Sequence, residues 1–172
     1  EVVESESKIV EADEASKPII RGNSLYIAYS SQVDGNEPFH ATPNARQVAR
    51  DWFYANVDKA RMLGGDLATI NGREEQDYLA ISFSGITDYG FLIGLHDSDE
   101  DNEYKWVSGQ DVDLTLFSSG LDSTGNHDED FVRMYLGEQG FLGYGDMGAK
   151  SGQLSEYILA EIPFIRRGDS AY

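Results

Sequence analysis

The stretch that decides the fold runs from Gly64 to Ala80, GGDLATINGREEQDYLA. Paired glycines at 64 and 65 stop whatever helix precedes them, because glycine takes the left-handed conformation that closes a helix end. Leu67 to Ile70 is then a short strand. Asn71 opens a second helix, with Glu74 three residues on as its capping-box partner. The apolar residues Tyr78, Leu79 and Ile81 carry that helix to Ser84-Gly85.

Upstream, Val48, Trp52, Ala55 (or Asn56), Lys59 and Leu63 recur at helical spacing. Thr42-Pro43 forms the entry, since proline at the first helical position loses no hydrogen bond. Leu25 to Tyr29 reads as a first strand, and the Gly-, Asn- and Pro-containing segment from Ser30 to Pro43 as a loop. Residues 1–22 are acidic and aperiodic, a linker or an extended lead-in strand. Downstream of Gly90 the strand candidates are Phe91–Leu95, Tyr104–Val107, Phe131–Leu136, Gly140–Tyr144 and Tyr157–Ile162. The segment between Val107 and Asp130 is too long for a hairpin, and long loops in compact domains are usually functional. Two helices with short antiparallel strands around a long loop make an α+β domain over residues 23–166, followed by a tail at 167–172.

Composition narrows the chemistry. Of 172 residues, 13 are Lys or Arg and 31 are Asp or Glu, a net charge of −18. That deficit of basic charge excludes a phosphate-binding face and hence a nucleic-acid partner, and disfavours attachment to an anionic membrane. There is no cysteine, which removes disulfides, thiolate nucleophiles and cysteine-based metal centres together. The longest apolar runs, such as Tyr157 to Ala160, are far too short to cross a bilayer. The chain begins with Glu and carries no signal segment, so it reads as part of a longer multidomain precursor.

The acidic residues are clustered. Asp97, Asp99, Glu100, Asp101 and Glu103 put five carboxylates into seven residues, and Asp128, Glu129 and Asp130 form a second group with Asp122 and Asn126 upstream. Such crowding on loops is relieved either by a cation or by solvation. Ca²⁺, which takes six to eight oxygens in irregular loops, suits it better than Mg²⁺; a solvated acidic surface is the other reading.

The ordered segments GGDLATINGREEQDYLA, FLIGLHD, EYKWVSGQ, EDFVRMYL and YILAEI resemble the framework of the C-type lectin-like domain over about residues 24 to 165. The form resembled is the cysteine-free one of bacterial surface adhesins, with Phe131 and Ala160 near positions where vertebrate members carry cysteines and Leu92 in place of a tryptophan. The resemblance implies a double-loop α+β fold whose long loop carries Ca²⁺ and the ligand. It implies Asp97, Asp101 and Asp130 as carboxylates of an auxiliary Ca²⁺ site, and Glu129 with Asp146 as ligands of a sugar-linked one. The chain departs from the family's sugar-binding motifs: Leu121-Asp122-Ser123 stands where Glu-Pro-Asn or Gln-Pro-Asp is expected, and Tyr144-Gly145-Asp146 where Trp-Asn-Asp is expected. A cis peptide without proline costs about 3 kcal/mol, so the usual loop geometry is not copied.

The functional expectation is a non-enzymatic, Ca²⁺-binding recognition module, extracellular or at a cell surface. It binds a glycan through Asp122, Ser123, Asn126 and Tyr144; a peptide or protein ligand, or a spacer role, are the alternatives. His40, His96 and His127 show no metalloenzyme spacing, and His96 is expected to line a loop. Arg167-Gly168-Asp169-Ser170 spells an integrin-recognition tetrapeptide in the tail, with a plain linker as the other reading.

Overall fold

A computed structural model describes residues 15–31, 45–86, 90–97, 103–117, 129–136, 142–148 and 157–164. In chain order the elements are β1 (Ile19–Arg21), β2 (Ser24–Ser30), α1 (Ala45–Met62), β3 (Asp66–Leu67), α2 (Arg73–Ser82), β4 (Phe91–His96), β5 (Lys105–Trp106), a 3₁₀ turn (Leu114–Phe117), β6 (Glu129–Leu136), β7 (Leu142–Gly148) and β8 (Tyr157–Pro163). The class is α+β, as the sequence implies. The expected entry of α1 at Thr42-Pro43 lies outside the described residues.

Helix α1 turns Ala49, Trp52, Phe53, Val57 and Ala60 inward at three- and four-residue spacing, with Asn56 on the same face. Asn56 is satisfied there because its Nδ2 donates to the Trp52 carbonyl at 2.9 Å. Lys59 and Arg61 in the last turn complement the helix dipole. The stop is a Schellman closure: Gly64 has φ 96°, its N–H donates to the Arg61 carbonyl at 3.0 Å, and the Gly65 N–H donates to the Ala60 carbonyl at 3.2 Å. Lys59 also ties the helix to the sheet, donating to the Ser30 carbonyl at 2.9 Å with its ammonium 4.6 Å from the Tyr29 ring centroid.

Helix α2 differs from its expected form in two respects. Gly72 is the N-cap and no side chain caps it. Glu75, rather than Glu74, reaches back, its Oε2 accepting the Asn71 N–H at 2.8 Å. The inward stripe is Glu75, Gln76, Leu79 and Ala80, so Tyr78 and Ile81 are exposed instead of packed. A shift of one residue, about 100° of rotation about the helix axis, separates the two readings, and the buried carboxylate of Glu75 lies on the inward side.

Among the described residues eight strands form one sheet, in the order β1-β2-β8-β4-β6-β7, with β3 paired to β8 and β5 to β4. The sheet is mixed rather than wholly antiparallel. Strand β8 runs antiparallel to β2, with Ile27 opposite Ala160, and parallel to β4, with Phe91 opposite Tyr157 and Leu92 opposite Ile158. Its alternation divides the core. Ile158 and Ala160 join α1, Leu67, Leu92 and Phe131 in one apolar layer; Leu159 joins α2, Tyr26, Ile93, Leu95, Trp106, Val132 and Met134 in the other. The sheet is therefore sandwiched, with α1 on one face and α2 on the opposite one.

Candidate functional site

The site grows from a slip in the central ladder. Strand β4 is buried along its whole length. Its first residues pair with β6 as Phe91 with Met134 and Leu92 with Arg133, but by His96 the partner is Phe131, a register shift within four residues. Gly94 absorbs it. Its N–H donates to the Ala68 carbonyl at 2.9 Å, and its carbonyl accepts the Val107 N–H at 2.9 Å. A Cβ there would come within 2.7 Å of Val107 Cγ2 and 3.0 Å of the Leu67 carbonyl oxygen. Beyond the slip β4 is free to pair with β5, Leu95 opposite Trp106 and His96 opposite Lys105.

Just past β4, the Asp97 N–H donates to the Asp130 carbonyl at 2.8 Å. Asp130 lies in a second irregularity, where the β6–β7 register shifts between Glu129 and Phe131. A bulge of this kind re-aims side chains at a strand end. Asp97 and Asp130 are each only 8 % exposed, and both take part in further interactions. The next strand continues the arrangement: Glu129 is opposite Gly148, Val132 opposite Asp146 and Met134 opposite Tyr144. The main chain thus brings Asp97, Glu129, Asp130 and Asp146 to the same end of three adjacent strands.

Asp101, Asp122, Ser123 and Asn126 lie outside the described residues, as do His40, His127 and the Arg167–Ser170 tetrapeptide. Among the described residues no group of three or more His, Asp or Glu side chains is placed to hold a metal ion. Two neighbouring aspartates fit the chemistry of a Ca²⁺ site as a hard-oxygen donor pair. They fall short of its six to eight oxygens, so further donors must come from other positions.

Beneath this end sits an aromatic floor. Phe53 of α1 stacks on Phe131 at 4.6 Å and 21°, His96 packs on Phe53 at 5.0 Å, and the Tyr54 edge meets His96 at 6.3 Å. His96 is therefore the last residue of a buried strand, packed between rings, and does not line a loop as expected. The long segment is also anchored as far as Phe117. Trp106 and Phe117 are buried with centroids 5.9 Å apart. Asp113 starts the 3₁₀ turn, its Oδ1 accepting the Thr115 N–H at 3.0 Å and hydroxyl at 2.6 Å. These two bonds to Thr115 hold the Asp113 carboxyl below the usual range.

A second polar cluster was not anticipated from sequence. Tyr26, buried on β2, donates its hydroxyl to Glu75 of α2 in a short bond and lies 3.3 Å from Oε1 of Glu161 on β8. Glu161 also accepts the Ser24 hydroxyl at 2.7 Å and the Thr69 N–H at 3.2 Å. Burial first, and then the bond to Glu75, push the Tyr26 phenol far above its ordinary value, so it stays protonated. This lock ties β2, β8, α2 and the Thr69–Asn71 connection together. Its members are 49 and 135 residues apart in sequence, so no local spacing announces it.

This fold is that of C-type lectin-like domains. The chain is similar to the C-type lectin domain of murine dendritic cell inhibitory receptor 2, solved in complex with N-glycan, with TM-score 0.59 and 14 % identity over 85 % of this chain and 95 % of that one. It is similar to the C-type lectin CEL-I from Cucumaria echinata, with TM-score 0.57 and 18 % identity over 87 % and 97 %. It is also similar to a calcium-independent type II antifreeze protein, with TM-score 0.56 and 15 % identity over 86 % and 92 %. No protein-family model and no curated protein matches the chain.

Proposed function

We propose that this chain is a calcium-binding, non-enzymatic recognition module of an extracellular bacterial surface protein, an adhesin, and that it takes a cell-surface glycan through the segment following Phe117. The observation that carries the reading is the Asp97–Asp130 pair: two nearly buried aspartates joined through their main chains at 2.8 Å, at the strand ends from which that segment departs. Aspartates this far removed from water, held side by side through their main chains, are stabilised by a cation or by hydrogen-bond donors. In this reading Asp97, Asp101, Glu129, Asp130 and Asp146 hold Ca²⁺, and Asp122, Ser123, Asn126 and Tyr144 meet the ligand. Bound Ca²⁺ would supply a positive centre that cross-links the acidic segments.

The net charge of −18 supports a cation partner. The fold it shares with an N-glycan-bound lectin domain supports a carbohydrate ligand. A second reading, a module that recognises peptide or protein, is favoured by two observations. Leu121-Asp122-Ser123 stands in place of the proline-containing sugar motif, and the chain is also similar to a calcium-independent protein. A glycan array run in millimolar Ca²⁺ and again with chelator tests the choice. Binding to a defined sugar set that vanishes with chelator is the expected result. A blank array with folded, Ca²⁺-loaded protein refutes the glycan and leaves the peptide reading.

A further inference from the structure

Asn71-Gly72 is the one Asn-Gly dipeptide in the chain, and it falls at the entry to α2, outside the acidic end of the sheet. Asn71 is exposed, and its own N–H is held by Glu75 at 2.8 Å. Neither the Asn71 side chain nor the Gly72 N–H has a hydrogen-bond partner among the described residues. Gly72 is in extended backbone (φ 177°, ψ 169°), and a Cβ built on it meets nothing within 4 Å. The amide nitrogen that would attack and the carboxamide that would be attacked thus belong to neighbouring residues, have no hydrogen-bond partner among the described residues, and adjoin open space at the Gly72 Cα.

We infer that Asn71 is a site of spontaneous, water-dependent deamidation. The Gly72 amide nitrogen gives up its proton to solvent and bonds to Cγ of Asn71. The Cγ–Nδ2 bond breaks, Nδ2 leaves as ammonia with protons from water, and a five-membered succinimide closes. Water then adds to one of the two ring carbonyls and the ring C–N bond at that carbon breaks. Opening at Cγ leaves an aspartyl residue, and opening at the main-chain carbonyl of residue 71 leaves an isoaspartyl residue whose main chain runs through Cγ. The net change is asparagine plus water to a carboxylate and ammonia, with no redox step. Glycine favours it because it lacks the Cβ that restricts approach of the nitrogen.

The position gives the reaction a structural consequence. Either product adds a negative charge beside Glu74 and Glu75. The isoaspartyl product also lengthens the main chain between two residues on either side of the lock. The Asn71 N–H and the Tyr26 hydroxyl share Glu75 as acceptor, so a shift at residue 71 is passed to the contact between α2 and β2.

The test is to hold the folded full-length protein at mildly alkaline pH and 37 °C for weeks. Aliquots are followed by anion exchange, peptide mass mapping and enzymatic isoaspartate detection. The expected result is an acidic species carrying the amide-to-acid mass gain at Asn71 ahead of every other asparagine, with isoaspartate and a lowered melting temperature. Gly72→Ala, for which the structure leaves room, should slow its appearance severalfold. Asn71 intact while other asparagines convert, conversion only in denaturant, or an equal rate in Gly72→Ala would each overturn the inference.

Discussion

Gly65→Ala should be among the most damaging single-methyl additions this chain can receive. Gly65 immediately precedes β3, and a Cβ built on it overlaps the Glu161 carbonyl oxygen and lies 2.8 Å from both Glu161 C and Ile162 Cα. These are main-chain atoms of β8, which cannot rotate aside as a side-chain end can. Nor can β8 retreat: Glu161 is opposite Tyr26 on one side and Asp66 on the other, and its carboxylate is held by Ser24, Tyr26 and Thr69. Gly65 is not in the left-handed region, so the effect is steric alone. Overpacking costs about 1–3 kcal/mol and occasionally more; blocked on both sides, this site belongs at the top, about 3 kcal/mol. At about 2–4 °C per kcal/mol for a chain of this size, the melting temperature falls by about 6–12 °C. Urea unfolding gives the free energy through a lowered midpoint at unchanged slope. Gly72→Ala is the control: nothing lies within 4 Å of its Cβ, and exchanging glycine for alanine at an N-cap costs about 1 kcal/mol or less. If Gly65→Ala loses no more stability than Gly72→Ala, the close approach of β3 to β8 is not as described.

Other perturbations probe the ladder slip, the lock and the acidic end. Gly94→Ala must displace Val107 Cγ2 from 2.7 Å and crowd the Leu67 carbonyl oxygen at 3.0 Å. Because the tightest contact is a side-chain end and the main-chain one is a few tenths of an ångström too close, the cost should fall below that of Gly65→Ala, at about 1–2 kcal/mol, read from the same urea midpoints. Tyr26→Phe removes a donor from a buried carboxylate and should cost about 1.5–3 kcal/mol at pH 7. The same variant should respond less to alkali. Below about pH 10 the phenol is protonated in both states; above it the unfolded chain releases the proton while folded Tyr26 keeps it, so stability falls as pH rises. Unfolding midpoints at pH 8 and pH 11 should converge more in Tyr26→Phe than in the wild type, and equal slopes would refute the assignment. Chelation should lower the melting temperature: at free Ca²⁺ a hundredfold above Kd a native-state ligand adds about 2.7 kcal/mol, or about 5–10 °C. Asp97→Asn with Asp130→Asn should abolish that response, and a full response in the double variant would displace the proposed site.

How far the chain could be read in advance depended on the range of the interaction. The spacing of Val48, Trp52, Ala55 (or Asn56), Lys59 and Leu63 gives α1, and Gly64-Gly65 its end, because both are settled within a turn or two. The buried face lies a little further round the helix, through Ala49, Phe53, Val57 and Ala60, and leaves Val48 exposed. The choice between Glu74 and Glu75 at α2 was not local. Glu75 is drawn inward by the Tyr26 hydroxyl, and that contact turns Leu79 and Ala80 in and Ile81 out. His96 was misplaced for a similar reason, since its burial depends on Phe53 and Tyr54 from a helix forty residues earlier. The parallel pairing of β4 with β8 left no signature in either strand, as short apolar runs read alike in both directions. At the acidic end, the resemblance points to Asp97 and Asp130, but only the shifts in β4 and β6 show how their main chains meet.

The place of β8 in the sheet also bears on how the chain is made. It is the last of the described strands to be synthesised, yet it sits between β2 and β4 and also pairs with β3. Until it arrives, β1–β2 has no other described strand to hydrogen-bond to, and the layer beneath α1 lacks Ile158 and Ala160. The nascent chain therefore cannot settle from its front end in stages. It must wait, with its apolar strand edges open, for a segment synthesised more than a hundred residues after the one it completes. Sheets closed by such distant partners form slowly. For this one, the interval between translation and closure is when a chaperone or protease would find it.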